Sequence, residues 1–236
     1  MLRFLLLVLS TLLAACASPR AVAPTTMSAS PSPHAAAIPY LALGDSYTIG
    51  EGAAAADRWP VELASLARTQ GLPLADPNII ARTGWTTAEL QAAIAASGNH
   101  RRDYGLVSLL IGVNNQYRGQ SVVLYRTEFR QLLATAVGYA GGRAGRVVVL
   151  SIPDWGQTPF AQDRNQPQIT REIDEFNAAA QQECQVAGVA YVAITDLTRA
   201  AAGHASQFTL DGLHYTGPQM RQWASRALPV VQRLLK

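Results

Sequence analysis

One serine and one histidine–aspartate pair in this sequence have the residue types and the spacing that nucleophilic catalysis requires. Ser46 directly follows an apolar run, in the tripeptide Gly-Asp-Ser. Near the other end of the chain, Asp211 precedes His214 by three residues, a spacing at which a turn can bring the carboxylate to the imidazole. A serine hydroxyl needs a base to remove its proton, and that base needs an orienting group. Each segment alone is also what an ordinary surface turn looks like.

The other three histidines are weaker candidates for the base. His34 lies in a Pro- and Ser-rich stretch, His100 lies beside two arginines, and His204 stands in a loop of small residues without a nearby carboxylate. We therefore predict that His214 is the catalytic base and that Asp211 orients it.

Two further residues could stabilise the oxyanion that forms when a serine attacks an ester. Gly84 and Asn114 each follow a short apolar run, and they could supply a backbone N–H and a side-chain amide. Preorganised donors of this kind are needed around a tetrahedral intermediate. Taken singly, Gly84 is more typical of a turn and Asn114 of a helix cap.

The segment 153–156 follows a fourth apolar run. We interpret it as a wall of the substrate pocket, in which Asp154 and Trp155 contact the substrate; a purely structural loop explains the same residues equally well. No His, Cys or carboxylate cluster has the spacing of a metal site, and the predicted chemistry requires neither a metal nor a cofactor.

Alternating apolar and amphipathic segments position these residues. Short apolar runs predict five strands, at residues 40–43, 78–81, 106–111, 146–152 and 189–194. Longer stretches with helical spacing lie near 58–70, 86–97, 121–138 and 167–187, and a last one starts at about 217, where Pro229 predicts a break or kink. Strands that alternate with helices predict a parallel sheet covered on both faces, with the working site at the carboxyl ends of the strands.

The order of the candidate residues along the chain resembles the SGNH (GDSL-type) hydrolase family. Ser46, Gly84, Asn114 and His214 match, in order, the four blocks that name the family. The resemblance implies a three-layer α/β/α fold with a flavodoxin-like, five-stranded parallel sheet. It implies a serine esterase, lipase, thioesterase or carbohydrate O-acetylesterase activity. It also implies that Ser46 is both the nucleophile and an oxyanion-hole donor, that Gly84 and Asn114 complete that hole, and that Asp211 orients the base.

Two positions depart from the family pattern. Tyr47 follows the serine in place of the usual Leu, and Tyr215 follows the histidine in place of the usual Pro. Both lie outside the catalytic set, so they bear on the substrate and leave the mechanism unchanged.

The N-terminal segment predicts export. Arg3 and an apolar run, which is shorter than the roughly 20 residues of a membrane span, predict a signal peptide at residues 1–15. Leu-Ala-Ala-Cys, which ends at Cys16, resembles the bacterial lipobox, and this implies lipidation of Cys16 and anchoring to a membrane of the bacterial cell envelope. Residues 16–37 are rich in Ala, Ser and Pro and predict a linker, which leaves residues 38–236 as the hydrolase domain.

The charge pattern and the remaining cysteine restrict the partners. A formal net charge of +3 without a cluster of Lys and Arg argues against a nucleic-acid partner. Cys184 falls on the apolar stripe of a predicted helix, which is typical of an unreactive core cysteine.

We therefore expect an exported, lipid-anchored esterase or lipase that cleaves a small-molecule or glycan ester through an acyl-enzyme on Ser46. An O-acetylesterase or acetyl transferase that acts on cell-envelope polysaccharide is an alternative. A non-catalytic envelope lipoprotein that has kept the fold is a second alternative.

Overall fold

A central sheet of five parallel strands organises residues 36–236, the part of the chain that the computed structural model describes. The strands span Tyr40–Gly44 (β1), Asn78–Ala81 (β2), Leu106–Leu110 (β3), Val147–Leu150 (β4) and Ala190–Val192 (β5). Each agrees with a predicted strand to within two residues at either end.

Cys16, the signal peptide and nearly all of the linker lie outside the described residues. Export and lipidation therefore stay predictions, and membrane fractionation of a Cys16→Ser variant would test the anchor.

The strand order creates a crevice between β1 and β3. The order across the sheet is β2-β1-β3-β4-β5, and all neighbouring strands are parallel. The chain leaves β1 toward one edge of the sheet and then returns over it to β3, so the winding reverses between these two strands. In open sheets of this kind, the carboxyl ends of the strands at such a reversal are the usual ligand site. Ser46 follows β1 and Asn114 lies just beyond β3, so the reversal lies between two of the predicted catalytic segments.

Within residues 36–236, eight α-helices connect the strands and cover the sheet. They span Ser46–Ile49 (α1), Trp59–Thr69 (α2), Thr87–Ala96 (α3), Val113–Tyr117 (α4), Val122–Tyr139 (α5), Gln166–Ala187 (α6), Thr195–Ala200 (α7) and Gly217–Leu235 (α8). α2 packs against α8, while α5 packs against both α3 and α6. Right-handed crossovers put these two groups of helices on opposite faces of the sheet. The predicted three-layer α/β/α fold is confirmed.

Apolar sequence explains why the centre of the sheet is buried. Every residue of β1 and β3 is buried, as expected for parallel strands that helices cover on both faces. Ser108, the one polar residue of β3, forms a 2.9 Å hydrogen bond with the hydroxyl of Tyr40 on β1, so both hydroxyls are satisfied. Trp59 of α2 and Trp223 of α8 are fully buried in the layer that those two helices form.

The last helix contradicts one prediction. α8 continues through Pro229, although a proline inside a helix removes one backbone hydrogen bond and crowds the preceding turn. Pro229 is exposed, and so is Ser225, whose carbonyl loses its usual helical partner. The buried face of α8 continues beyond the proline at Val231, and its packing offsets the missing bond. The predicted break at Pro229 is therefore wrong, and the alternative of a kink stays a prediction.

Local sequence explains two further features of the helices. Thr86 caps α3 and forms a capping box with Glu89, in which the side chain of each residue bonds to the backbone N–H of the other. Cys184 is buried in α6, and burial raises the pKa of its thiol to about 12, which fits an unreactive core cysteine. No helix in the described part of the chain is both long enough and apolar enough to cross a membrane.

Candidate active site

Four predicted catalytic residues line one cavity at the carboxyl edge of the sheet. They are Ser46, Gly84, Asn114 and His214, and the cavity has a volume of about 190 Å³. The residues lie far apart in sequence, but the first three follow β1, β2 and β3, and parallel strands end at the same edge. A larger cleft of about 430 Å³, near the amino ends of the strands, contains none of them.

A tight turn from β1 into α1 presents Ser46 at the cavity. Ser46 is the first residue of α1 and is only 5% exposed. The turn requires Gly44, because a Cβ at that position would overlap the hydroxyl of Thr48 and lie 2.5 Å from the carbonyl oxygen of Leu110. β1, α1 and β3 therefore approach one another too closely at this point for any side chain.

Asp45 lies inside the same turn, and its side chain is fully buried. One carboxylate oxygen accepts a hydrogen bond from the N–H of Tyr47 at 3.0 Å and so caps α1, while the other has no partner among the described residues. Burial raises the pKa of Asp45 to about 7, and the hydrogen bond from Tyr47 opposes this shift only in part. The fold therefore favours the protonated form of Asp45.

We expect Asp45→Asn to reduce the pH dependence of stability. The pKa in the folded protein is about 7, above the ordinary value of about 3.9, so the stabilisation from protonated Asp45 is fully present below about pH 4 and is lost as the pH rises through about 7. Between about pH 4 and pH 8, the wild type should lose about 2–4 kcal/mol more of its free energy of unfolding than the variant, whose amide stays neutral.

Urea unfolding at several pH values measures this difference. Asp76→Asn is a matched control, because the Asp76 side chain is 78% exposed, and this variant should follow the wild type. Parallel curves for the wild type and Asp45→Asn would contradict the prediction.

His214 and Asp211 form the hydrogen-bonded pair that their spacing predicts. The imidazole Nδ1 lies 2.6 Å from Oδ2 of Asp211. The other carboxylate oxygen accepts from the backbone N–H groups of Leu213 and His214, at 2.9 and 3.0 Å. Since a carboxylate can only accept, Nδ1 carries the proton, and Nε2 has the free lone pair that a base needs.

The surroundings of Asp211 keep its carboxylate charged. Burial alone would raise the pKa of Asp211, but hydrogen bonds from the His214 ring, from two backbone N–H groups and from the Thr209 hydroxyl outweigh burial and hold the pKa below its ordinary range. The carboxylate can thus orient the ring and stabilise its charged form. His204 lies elsewhere, in a separate cleft that Leu197 also lines.

Hydrogen bonds connect the two segments that carry the predicted oxyanion donors. Gly84 has a φ of +84°, which residues other than glycine rarely adopt. Asn114 of α4 donates one amide N–H to the carbonyl of Trp85 at 3.0 Å, which leaves its second N–H for a ligand. Arg118 donates to the carbonyl of Gly84 at 2.6 Å and to Glu89 at 3.1 Å. The sequence contains no signal for this bridging role of Arg118.

Aromatic side chains line another part of the cavity. Tyr117, Trp155 and Phe160 all contribute to it, the last two from short 3₁₀ turns at Trp155–Gln157 and Pro159–Ala161. The ring centroids of Tyr117 and Trp155 are 5.3 Å apart in an edge-to-face arrangement. Trp155 therefore lies at the cavity, where it was predicted, and its contact with substrate stays a prediction.

The structure does not bring Asp154 to the cavity. Its side chain is fully buried, accepts hydrogen bonds from the Gly156 N–H and the Thr170 hydroxyl, and forms an ion pair with Arg199 at 2.9 Å. Because both carboxylate oxygens are engaged within the protein, Asp154 holds the loop that carries Trp155. The alternative interpretation of Asp154 as a structural residue fits these contacts.

The two departures from the family pattern contact each other. The ring centroids of Tyr47 and Tyr215 are 5.8 Å apart, and both rings pack against Trp223. Tyr47 also meets the imidazole of His214 edge-on, with 5.6 Å between centroids. Aromatic pairs of this geometry contribute about 0.5–1.5 kcal/mol. Tyr47 thus supports the orientation of His214.

Residues 42–221 match the model of the GDSL-like lipase/acylhydrolase family. The matched range includes all five residues of the predicted triad and oxyanion hole. The chain belongs to this family. Membership confirms the resemblance found in the sequence, and the protein is a carboxylic ester hydrolase. No group of three or more His, Cys, Asp or Glu side chains within residues 36–236 has the arrangement of a metal site.

Solved structures share the fold of this GDSL-like hydrolase. TesA superimposes with a TM-score of 0.66 and 17% identity, over 83% of this chain and 99% of that one. A lipase/acylhydrolase from Enterococcus faecalis gives a TM-score of 0.63 and 19% identity, over 84% and 96%. An acetylxylan esterase from Geobacillus stearothermophilus gives 0.61 and 15%, over 81% and 93%. At these identities the likeness concerns the fold alone. Comparison with curated proteins finds no match.

Proposed function

We propose that this hydrolase cleaves esters through an acyl-enzyme on Ser46, with His214 as the base and Asp211 as its orienting partner. The observation that carries the proposal is the 2.6 Å contact between His214 Nδ1 and Asp211 Oδ2, at a cavity that Ser46 also lines. This contact supports the tautomer that a base for the serine hydroxyl requires, in which the neutral ring carries its proton on Nδ1 and Nε2 is free.

In the acylation step, Oγ of Ser46 attacks the carbonyl carbon of the ester, and its proton passes to Nε2 of His214. A C–O bond forms, and the carbonyl electron pair moves to the oxygen. When this tetrahedral intermediate collapses, the bond to the alcohol breaks, and the alcohol leaves with the proton from His214. The acid part of the substrate remains bound to Ser46 as an ester.

Three N–H groups are available for the oxyanion of the intermediate. They are the backbone N–H groups of Ser46 and Gly84 and the second amide N–H of Asn114. The Trp85 carbonyl holds the Asn114 amide directly, while Arg118 holds the Gly84 carbonyl, which lies in the peptide unit after the one that carries the Gly84 N–H. Both contacts limit the reorganisation that is needed when charge develops. One donor of this kind is typically worth about 10²–10³ in kcat.

Water completes the reaction. It attacks the acyl carbon and gives a proton to His214, which returns a proton to Ser46 as the carboxylic acid leaves. If a sugar hydroxyl replaced the water, the same steps would transfer the acyl group. An acetyl transferase therefore differs from an esterase only in the acceptor.

The cavity at Ser46 has room for a short acyl group and opens to solvent. A volume of about 190 Å³ is about six water-sized volumes, enough for the ester group and a few carbon atoms. An acetyl group fits within it, so removal of acetyl groups from polysaccharide is a second candidate function, and one structure of similar fold is an acetylxylan esterase. Rates on acetyl, butyryl and octanoyl esters of one alcohol, compared with release of acetate from acetylated polysaccharide, distinguish the two. The family membership argues against a non-catalytic lipoprotein.

Labelling with a phosphonate that carries a 4-nitrophenolate leaving group tests the proposed nucleophile. Oγ of Ser46 should form a bond to phosphorus as the nitrophenolate leaves, so each chain should release one nitrophenolate and gain one phosphonyl group. Mass spectrometry of peptides should find that group on Ser46, and Ser46→Ala should remain unlabelled. A label on another serine, or equal labelling of the variant, would refute the assignment.

A further inference from the structure

Three aromatic rings beside the catalytic cavity surround a single arginine. The guanidinium carbon of Arg164 lies 5.5 Å from the ring centroids of both Tyr117 and Trp155, and 4.8 Å from that of Phe160. The same three rings line the cavity that contains Ser46. Arg164 is exposed and does not itself line the cavity, but its cationic group packs on the three rings that do.

One of these three rings, that of Trp155, is held rigidly by the fold. The indole N–H of Trp155 donates to the side-chain oxygen of Gln116 at 2.7 Å, and the Gln116 amide donates to Glu172 at 2.7 Å. Trp155 is only 4% exposed, and Gln116 is buried as well, so the indole has a fixed orientation. An arginine that stacks on a fixed ring gives up less conformational freedom when it binds a ligand.

The hydrogen-bonding groups of Arg164 are free in the structure. Within residues 36–236, its guanidinium makes no ion pair and no hydrogen bond that satisfies normal geometry, and neighbouring Asp163 does not pair with it. Arg118, on the same side of the sheet, instead uses its donors on Gly84 and Glu89. Arg164 is thus a cation near the catalytic cavity whose donors are not consumed by the fold.

The chemistry of guanidinium indicates what such a group binds. The aromatic rings attract the cation through their electron-rich faces, and this interaction does not use the N–H donors. Those donors lie in the guanidinium plane as a fork that matches a carboxylate in a bidentate arrangement. The apolar rings beside the cavity also lower the local polarity, which strengthens a charged contact relative to one in open water.

We propose that Arg164 is a specificity-determining residue that binds a carboxylate carried by the ester substrate. The preferred substrate is then an ester with a negative charge a few bonds from the reacting carbonyl. This inference rests on the proposed function for the reaction at Ser46, and it adds the charge of the substrate. Arg164 takes no part in bond making or breaking.

Two matched ester pairs test the proposal. On the acyl side, 4-nitrophenyl hemiglutarate and 4-nitrophenyl valerate have the same chain length and differ by one terminal carboxylate. On the alcohol side, the butyrate ester of 5-hydroxy-2-nitrobenzoate is compared with 4-nitrophenyl butyrate. Each rate is corrected for spontaneous hydrolysis. The measured quantity is the ratio of kcat/KM for the anionic ester to that for the neutral ester.

Arg164→Gln should lower that ratio by about 10-fold for at least one pair. A change of about 10-fold lies between the effect of losing a fully exposed ion pair and the effect of losing a buried charge-assisted hydrogen bond. The pair that responds identifies whether the carboxylate belongs to the acid or the alcohol part. Arg102→Gln is the control, because Arg102 also lies over an aromatic ring, that of Tyr139 at 4.6 Å, but near the amino ends of the strands. Its ratio should equal that of the wild type.

Binding to the inactive Ser46→Ala protein separates this inference from the proposed reaction. The dissociation constant of at least one of the two anionic esters should rise about 10-fold when Arg164→Gln is added to Ser46→Ala, while those of the neutral esters stay unchanged. An unchanged ratio together with an unchanged dissociation constant would overturn the role of Arg164. Equal losses of kcat/KM on the anionic and the neutral esters would also overturn it, because Arg164 would then be only a support for the aromatic wall. A wild type that hydrolyses no ester would overturn the proposed reaction, and the binding measurement would still decide the role of Arg164.

Discussion

Replacing Ser46 with alanine should lower kcat for ester hydrolysis by about 10⁵–10⁶-fold, because a methyl group cannot form the acyl-enzyme. The substitution removes only the hydroxyl oxygen of Ser46. Within residues 36–236 that hydroxyl makes no hydrogen bond, so the fold should be retained. Turnover of 4-nitrophenyl butyrate measures the rate, and circular dichroism checks the fold. The small remaining rate comes from the oxyanion donors, which still polarise the ester toward attack by water.

Ser206→Ala is the matched control for this variant. Ser206 is an exposed serine of the loop that precedes the catalytic pair, and its replacement should leave kcat within about two-fold of the wild type. Near-full activity of Ser46→Ala, or a loss of activity in Ser206→Ala, would show that the nucleophile lies elsewhere.

His214→Ala should reduce kcat nearly as much as Ser46→Ala, because the nucleophile and its base act as a unit. The double variant should consequently be no slower than either single variant. His204→Ala should retain most of the activity, since His204 lines a different cleft and has no carboxylate partner at the spacing of Asp211 and His214. The values of kcat for these four variants, each compared with that of the wild type, decide between the two histidines. An inactive His204→Ala protein would make the hydrogen-bonded pair at residue 214 purely structural.

The architecture and the main site residues could be predicted because they depend on local pattern. Parallel strands buried on both faces are continuous apolar runs, and these marked all five strands. Since such strands end at one edge, the residues after β1, β2 and β3 could be placed together without knowledge of side-chain packing. The Asp211–His214 pair needed only one turn, so three residues of sequence were enough to predict it.

Contacts between distant segments could not be predicted in this way. Nothing in the sequence indicates that Tyr47 and Tyr215 lie against each other, because their proximity depends on how α8 packs beside α1. Asp154 looked equally suitable for binding or for structure, and only its burial and its contacts within the protein, among them the ion pair with Arg199, distinguished the two. Arg164 is one of many scattered arginines until the turns at residues 155–161 bring two rings to it, beside the ring of Tyr117 from α4.

Pro229 shows how packing overrides a local rule. A proline predicts a helix break because of its backbone chemistry, and that chemistry is unchanged in α8. The outcome depends on which face of the helix carries the proline, since the exposed face can tolerate an unpaired carbonyl and the buried face continues without interruption. The sequence of α8 contains both the proline, which predicts a break, and the apolar spacing of a continuous helix. Only the structure shows that the helix continues.

The pairing of α2 with α8 has a consequence for the order in which this enzyme becomes active. These helices lie near opposite ends of the domain in sequence, and His214, the proposed base, directly precedes the later one. Contacts between such distant segments form late, after the intervening chain is available. A growing polypeptide can fold the strand and turn that carry Ser46 while His214 is still unsynthesised or undocked. With these two residues in their proposed roles, ester hydrolysis should begin only when the final helix joins the domain, and its recovery during refolding should follow that docking.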